Sequence, residues 1–290
     1  MKHIDFRDQI KKNKIKSSFL MTFVAVFIIA LGYVISFAFS PSYFFTIMII
    51  AIIVALLYTW INFYNSDKIA IASVKAREAK RQEFPDFHRL VESLMVASNL
   101  PKPKLYVMDS NQINAFASGR DPKHAVVCVT TGALEKLDRR ELEGVLAHEL
   151  GHISNYDIRY MTLITIMVGM IAIISQIFLR SLWFKNTENN RDSTIFIIIG
   201  IALAILAPIV VQLVQLSISR KREYTADATA VKFTRNPEGL INALEKIKND
   251  EIKNTKVSKA IAPMFFSNPF RNMARTHPPI EKRIEVLKKM

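Results

Sequence analysis

An α+β architecture is expected of this chain: four membrane-spanning helices joined to a mainly helical, water-facing part that carries a small β-sheet. Two features of the sequence lead there. Charge-free apolar stretches run longer than any core element of a soluble protein, and between them short β-rich runs alternate with segments of helical period.

Half of the 290 residues are hydrophobic, and they are concentrated rather than spread. From Ser17 to Ser66 there is no Asp, Glu, Lys or Arg, and Ser40-Pro41-Ser42 interrupts the run where a proline ends one helix and starts another. Two more charge-free stretches, Tyr160 to Leu179 and Ser193 to Ser219, are each long enough for the roughly 20 residues of a helical crossing. The expected spans are about 18 to 39, 43 to 64, 160 to 182 and 194 to 218. A cleaved leader does not account for the first, because its apolar segment exceeds a leader's usual core and a second span follows at once.

Lys and Arg beside the spans set the orientation. Lys2, Arg7, Lys11, Lys12, Lys14 and Lys16 precede the first span, and the Ser40 to Ser42 turn has none. Lys68, Lys75, Arg77, Lys80 and Arg81 follow the second, and Arg220, Lys221 and Arg222 follow the fourth. Both termini and both water-facing segments are therefore expected in the cytoplasm, at a cell membrane. The chain divides into a basic start and first hairpin (1–66), a water-facing segment (67–158), a second hairpin (159–219) and a second water-facing segment (220–290).

The net charge of +14 lies largely beside the spans, where it meets lipid headgroups, so a nucleic-acid partner is not expected. The lone Cys128, within Ala125-Val126-Val127-Cys128-Val129, makes no intrachain disulfide and reads as core.

In the first water-facing segment, Phe87 to Leu100 has helical spacing and is stopped by Pro101 and Pro103. Lys104 to Met108 and Ala125 to Thr130 read as strands, with Asn114 to Gly119 as a third. Asp138 followed by Glu141 resembles a capping box that starts a helix. In the second segment, Lys221 to Phe233 and Pro237 to Asn249 look helical, and Pro278 opens a last helix. Phe265, Phe266 and Phe270 look exposed, as a lid or a membrane-dipping loop would be, although core packing explains them equally well.

The helix begun at Asp138 carries His148-Glu149-Leu150-Gly151-His152. His148 and His152 lie one turn apart on one face, where two neutral imidazoles bind one Zn²⁺. Glu149 stands about 100° around the helix, beside rather than in the open coordination position, as a general base requires. A third ligand cannot come from a metzincin continuation, because Asn155 and Ile158 stand where Gly and His would be needed. Glu223 is the best candidate. Asp227, one turn on, can accept a hydrogen bond from a ligand histidine and fix its tautomer. On their own both carboxylates also suit a solvated helix face. Two intervening spans return the chain to the side it left, so the three ligands can meet. The site should lie within about 10 to 15 Å of the membrane surface. Asp157 suits a helix boundary or a surface pair, and His3, His88 and His124 have no companion ligands.

The chain resembles the HtpX-type membrane zinc metalloproteases, relatives of the Ste24 prenyl-protein proteases. The likeness rests on the placing of the spans, His148-Glu149-x-x-His152, Glu223-x-x-x-Asp227, Asn114-Ala115-Phe116 and Thr276-His277-Pro278-Pro279. It implies a gluzincin-type endopeptidase with one zinc per chain on His148, His152 and Glu223, and Glu149 as base. It implies that Asn114, Ala115 and Phe116 belong to an edge strand that holds substrate as an added strand. Read alone, Asn114 suits a turn and Phe116 the core. It also implies catalytic contacts from His277 and Arg283, which otherwise read as a capping histidine and a surface arginine. The implied substrates are membrane proteins or unfolded polypeptides in quality control and the stress response. The rival reading is a membrane metal transporter or zinc sensor, but the expected spans hold only uncharged polar residues such as Gln176, Gln212 and Gln215, which argues against an ion path.

Overall fold

The computed structural model describes residues 44–163, 220–250, 265–266 and 278–290, with scattered positions between 11 and 29. The expected fourth span, nearly all of the third, much of the first, His277 and Phe270 lie outside the described residues. Among the described residues no helix is long and apolar enough to cross a membrane. Helix α1 (Phe44–Tyr64), on the second expected span, has 21 residues and no charge, but several of its side chains lie outside the described set.

After α1 come α2 (Ser66–Ser73), β1 (Arg77–Glu78), α3 (Pro85–Ser98), β2 (Lys104–Met108), β3 (Ala115–Gly119), β4 (Ala125–Thr130), α4 (Thr131–Lys136) and α5 (Arg139–Ser154). After residue 219 come α6 (Arg220–Thr234), α7 (Glu238–Asn249) and α8 (Ile280–Leu287). The described part is mostly helical with one small sheet, as expected. The short elements β1, α2 and α4 were not foreseen, because two to eight residues carry too little periodicity.

The sheet runs β1-β2-β4-β3, with β2 and β4 parallel and both outer pairs antiparallel. Side chains alternate across it. Ala115, Ala117, Val127 and Val129 face the main core with α3, α5 and α7, while Phe116, Val126 and Cys128 face a second cluster with Ala70, Ile71 and Phe265. Burial on both faces explains why β4 reads as an unbroken apolar run.

The capping box forms as expected. Asp138 accepts from the N–H groups of Arg140 and Glu141, and Glu141 accepts from the Asp138 N–H at 2.7 Å. Lys246 of α7 reaches the same Glu141 carboxylate at 2.7 Å, tying α7 to the start of α5. Two glycines bring these helices into contact: a Cβ on Gly144 would stand 2.6 Å from Leu240 N, and one on Gly239 would stand 2.3 Å from Arg140 O. Gly151 does the same for α6, where a Cβ would lie 3.1 Å from Ala226 O. Side-chain-free surfaces thus press α6 and α7 onto the helix that bears the histidines.

Phe265 and Phe266 are 1% and 3% exposed, so of the two readings left open for them it is core packing that holds. Phe265 bridges Phe116 across the outer side of β3, their rings 5.0 Å apart.

Candidate metal centre

Helix α5 presents His148 and His152 on one face with their Nε2 atoms 3.1 Å apart. Glu223 of α6 faces both, Oε2 lying 3.7 Å from His148 Nε2 and Oε1 3.7 Å from His152 Nε2. The three donor atoms lie within 4.8 Å of one another, the one such cluster among the described residues. Tetrahedral zinc with ligands near 2.0 to 2.1 Å places donors about 3.3 Å apart, so the donor set and its spacing fit the ion. Two imidazole lone pairs that face one another at 3.1 Å also call for a cation or proton between them.

Each imidazole has a carboxylate on its far nitrogen. His148 Nδ1 lies 2.9 Å from Asp227 Oδ1, and His152 Nδ1 lies 3.1 Å from Asp157 Oδ2. Nδ1–H donation to these carboxylates leaves each Nε2 lone pair for a metal. Asp227 stands where its spacing from Glu223 suggested. Asp157 is 2% exposed, so the surface pair considered for it is not what forms, and sequence reasoning missed its contact with His152. Five residues beyond His152 and past the helix end, it fits no periodic pattern.

Arg283 is fully buried rather than superficial. Its Nε donates to Asp227 Oδ2 at 3.0 Å and its Nη2 to Asp227 Oδ1 at 2.6 Å, and Nη1 lies 3.7 Å from Glu223 Oε2. Its guanidinium stacks 4.8 Å from the ring of Phe266, which packs edge-on to His148 at 4.8 Å. Phe266 was not singled out from sequence for this wall, since only the fold brings it there.

Burial, together with the Arg283 charge, pushes His148 down to about 4, against the pull of Asp227, so the ring is neutral at neutral pH. Burial pushes Glu149 up to about 7, with Glu223 adding to the rise. Burial alone would lower His152, but Asp157 and the Glu223 and Glu149 charges outweigh it and raise it to about 9 in the metal-free protein. Burial likewise opposes ionisation of Asp227, yet Arg283 and His148 hold it below the usual carboxylate range.

β3 is an edge strand of the sheet, as expected, and its outer edge is occupied by groups of the chain itself. Ala115 O accepts from the Phe266 N–H at 2.8 Å, the Ala117 N–H donates to Glu149, and the Gly119 N–H meets Thr162 Oγ1 at 3.4 Å. Asn114 is buried and its side chain accepts from the Ala115 N–H at 3.0 Å, while Phe116 is core. The structure thus brings Ala117 and Glu149 together, with Asn114, Ala115 and Phe116 next along the strand; His277 lies outside the described residues.

Residues 81–290 match Peptidase family M48. Over 288 residues the chain is 43% identical to a protein named Protease HtpX homolog from Caldanaerobacter subterraneus subsp. tengcongensis, covering 96% of each. It is 40% identical over 298 residues to a Protease HtpX homolog from Dictyoglomus thermophilum, covering 100% of this chain and 96% of that one. The crystal structure of S. mikatae Ste24p shares the fold with a TM-score of 0.51 at 19% identity, over 97% of this chain; the chain spans only 66% of Ste24p.

Proposed function

The chain belongs to peptidase family M48 and is a metalloprotease, and we propose that it is a membrane-embedded zinc endopeptidase that cuts polypeptides at the cytoplasmic face of a cell membrane. The observation that carries the chemistry is the meeting of His148, His152 and Glu223 beside the buried Glu149. In this reading His148, His152 and Glu223 hold one zinc ion per chain, which when bound supplies a Lewis acid. Glu149, poised near neutrality by burial, takes a proton from the attacking water and delivers it to the leaving amine. Asp227 fixes the tautomer of His148. Arg283, with Nη1 turned toward Glu223, keeps positive charge beside the reacting carbonyl, and His277 completes the donors. In this reading Asn114, Ala115 and Phe116 align the substrate along β3, which requires the Phe266 N–H to give up Ala115 O to the incoming strand.

Two features support the membrane reading. Phe45, Ile49, Ile53, Leu56 and Trp60 of α1 are exposed at 49% or more, an apolar face that water would not leave uncovered. At the end of α1 and around the start of the third expected span, cations sit over rings: Arg120 over Tyr64, Arg159 over Phe63, Arg222 over Tyr160 and Lys14 over Tyr156. Of these, Tyr64 is exposed at 47%, where an aromatic ring paired with a basic side chain suits the headgroup level. Four spans, with residues 67–158 and 220–290 in the cytoplasm, then bring the site to the bilayer, and membrane proteins or unfolded polypeptides in quality control under stress are the substrate class.

The test is cleavage of an unfolded polypeptide by the detergent-purified chain with zinc, beside Glu149→Gln and a chelator. Cleavage should fall by roughly 10²-fold or more in the variant and vanish with chelator. Equal cleavage by the variant would remove Glu149 from its role. Protease added outside sealed membranes should spare residues 220–290, and cutting there would overturn the orientation.

A further inference from the structure

Helix α5 ends at Ser154, and the chain then turns through a left-handed residue, as helices often do at their ends. The Asn155 N–H closes the helix on Gly151 O at 3.0 Å, and the Tyr156 N–H donates to Ile153 O at 3.2 Å. Tyr156 has φ of 59°, the left-handed region that residues with a Cβ seldom occupy. Helix resumes at residue 157. Had α5 continued, position 157 would stand about 140° around the axis from His152 and about 7.5 Å further along it, out of reach of the imidazole. The turn is what carries Asp157 back to His152 Nδ1, at 3.1 Å and nearly out of solvent.

The partner of the other imidazole is built differently. Asp227 reaches His148 from a separate helix, and Arg283 of a third helix holds it there. His152 depends on its own chain five residues on. The left-handed residue ends the helix in a common way, and the direction it gives the chain is what sets Asp157 against His152.

We propose that the Tyr156–Asp157 turn is a positioning device for His152: Asp157 accepts the Nδ1–H, fixing the tautomer that leaves Nε2 for the metal, and left-handed Tyr156 is the backbone form that delivers the carboxylate. This rests on the reading of His148, His152 and Glu223 as metal ligands. Asp157 acts through His152 and touches no reacting atom.

The experiment uses the full chain in detergent, with zinc affinity measured by competition with a chromophoric chelator, the absorption spectrum of the Co²⁺ form, and the melting temperature of the metal-free protein. Asp157→Ala should weaken zinc by about 10- to 100-fold and shift the Co²⁺ bands. Asp157→Asn, which keeps the shape and an acceptor oxygen, should fall between it and the wild type. Tyr156→Ile, whose branched Cβ resists positive φ, should weaken zinc in the same direction with the carboxylate intact. Wild-type affinity and an unchanged Co²⁺ spectrum in both Asp157 variants would overturn the proposal. So would an affinity loss seen only in a variant whose metal-free melting temperature has collapsed, with Asp157→Asn folded and binding like wild type. If wild type binds no zinc, or His152→Ala binds it equally well, the metal-site reading itself falls and takes the turn's role with it.

Discussion

Arg283 grips Asp227 with two parallel hydrogen bonds, 3.0 Å and 2.6 Å, and neither side chain is more than 1% exposed. Asp227 in turn stands 2.9 Å from His148 Nδ1, so one line of contacts joins α8, α6 and α5. Arg283→Ala would strand the Asp227 charge in the interior, and the expected loss of stability is roughly 3 to 5 kcal/mol. Arg283→Lys cannot reproduce the fork and should recover only part of it. Chemical denaturation of the metal-free chain measures this, and a loss under about 1 kcal/mol for the alanine variant would show that the pair does not hold the helices together.

Zinc uptake should expel a proton from His152. Its pKa is raised to about 9 in the metal-free fold, above the ordinary value of 6.5, so the protonated ring stabilises that fold fully below about pH 6.5, and the contribution is lost as pH rises through about 9. A metal needs the neutral ring, so affinity should climb about tenfold per pH unit from neutrality toward pH 9. Calorimetric titration at pH 7.5 in two buffers of different ionisation enthalpy should find about one proton released per ion. Finding none would show that His152 is already neutral.

Gly144→Ala should damage the protein more than an exposed helical glycine-to-alanine change, which is usually favourable. The added methyl would meet the backbone of Leu240 at 2.6 Å, and backbone cannot step aside as a flexible side chain does. Separation of α7 from α5 should cost about 1 to 3 kcal/mol. A thermal melt that rises instead would show that the two helices have slack between them.

Cys128 should not react with a maleimide in the folded protein at pH 8. It is 1% exposed, and burial raises its thiol far above the ordinary range, so the nucleophilic thiolate is scarce. Labelling should begin only on denaturation, and rapid labelling of the native chain would place Cys128 outside the core.

What could be read from the sequence was what local rules encode. β2 and β4 begin and end where their β-rich runs do, because each is a short apolar segment bounded by turn residues. The Asp138–Glu141 box and the spacing of His148, Glu149 and His152 are facts of one helix, and so was the one-turn offset of Asp227 from Glu223. Long-range partners were another matter. Arg283 meets Asp227 across 56 positions, and only packing removes it from the surface it was free to occupy. Phe266 owes its burial to the rings and backbone it lands on, and Asp157 owes its place to one left-handed residue. No periodicity announces such contacts, since they follow from where elements end rather than from what they repeat.

The glycine-lined seam between α5 and the pair α6 and α7 has a consequence for assembly. Two of the candidate metal donors, His148 and His152, precede residues 164–219 and the third, Glu223, follows them. The centre is therefore an interface between two fragments of one polypeptide, stitched by backbone contacts at Gly144, Gly151 and Gly239. During synthesis the first fragment must wait, with two of the three candidate donors, until the second has been made, so there is a built-in delay between translation of the histidines and the first moment at which all three can meet.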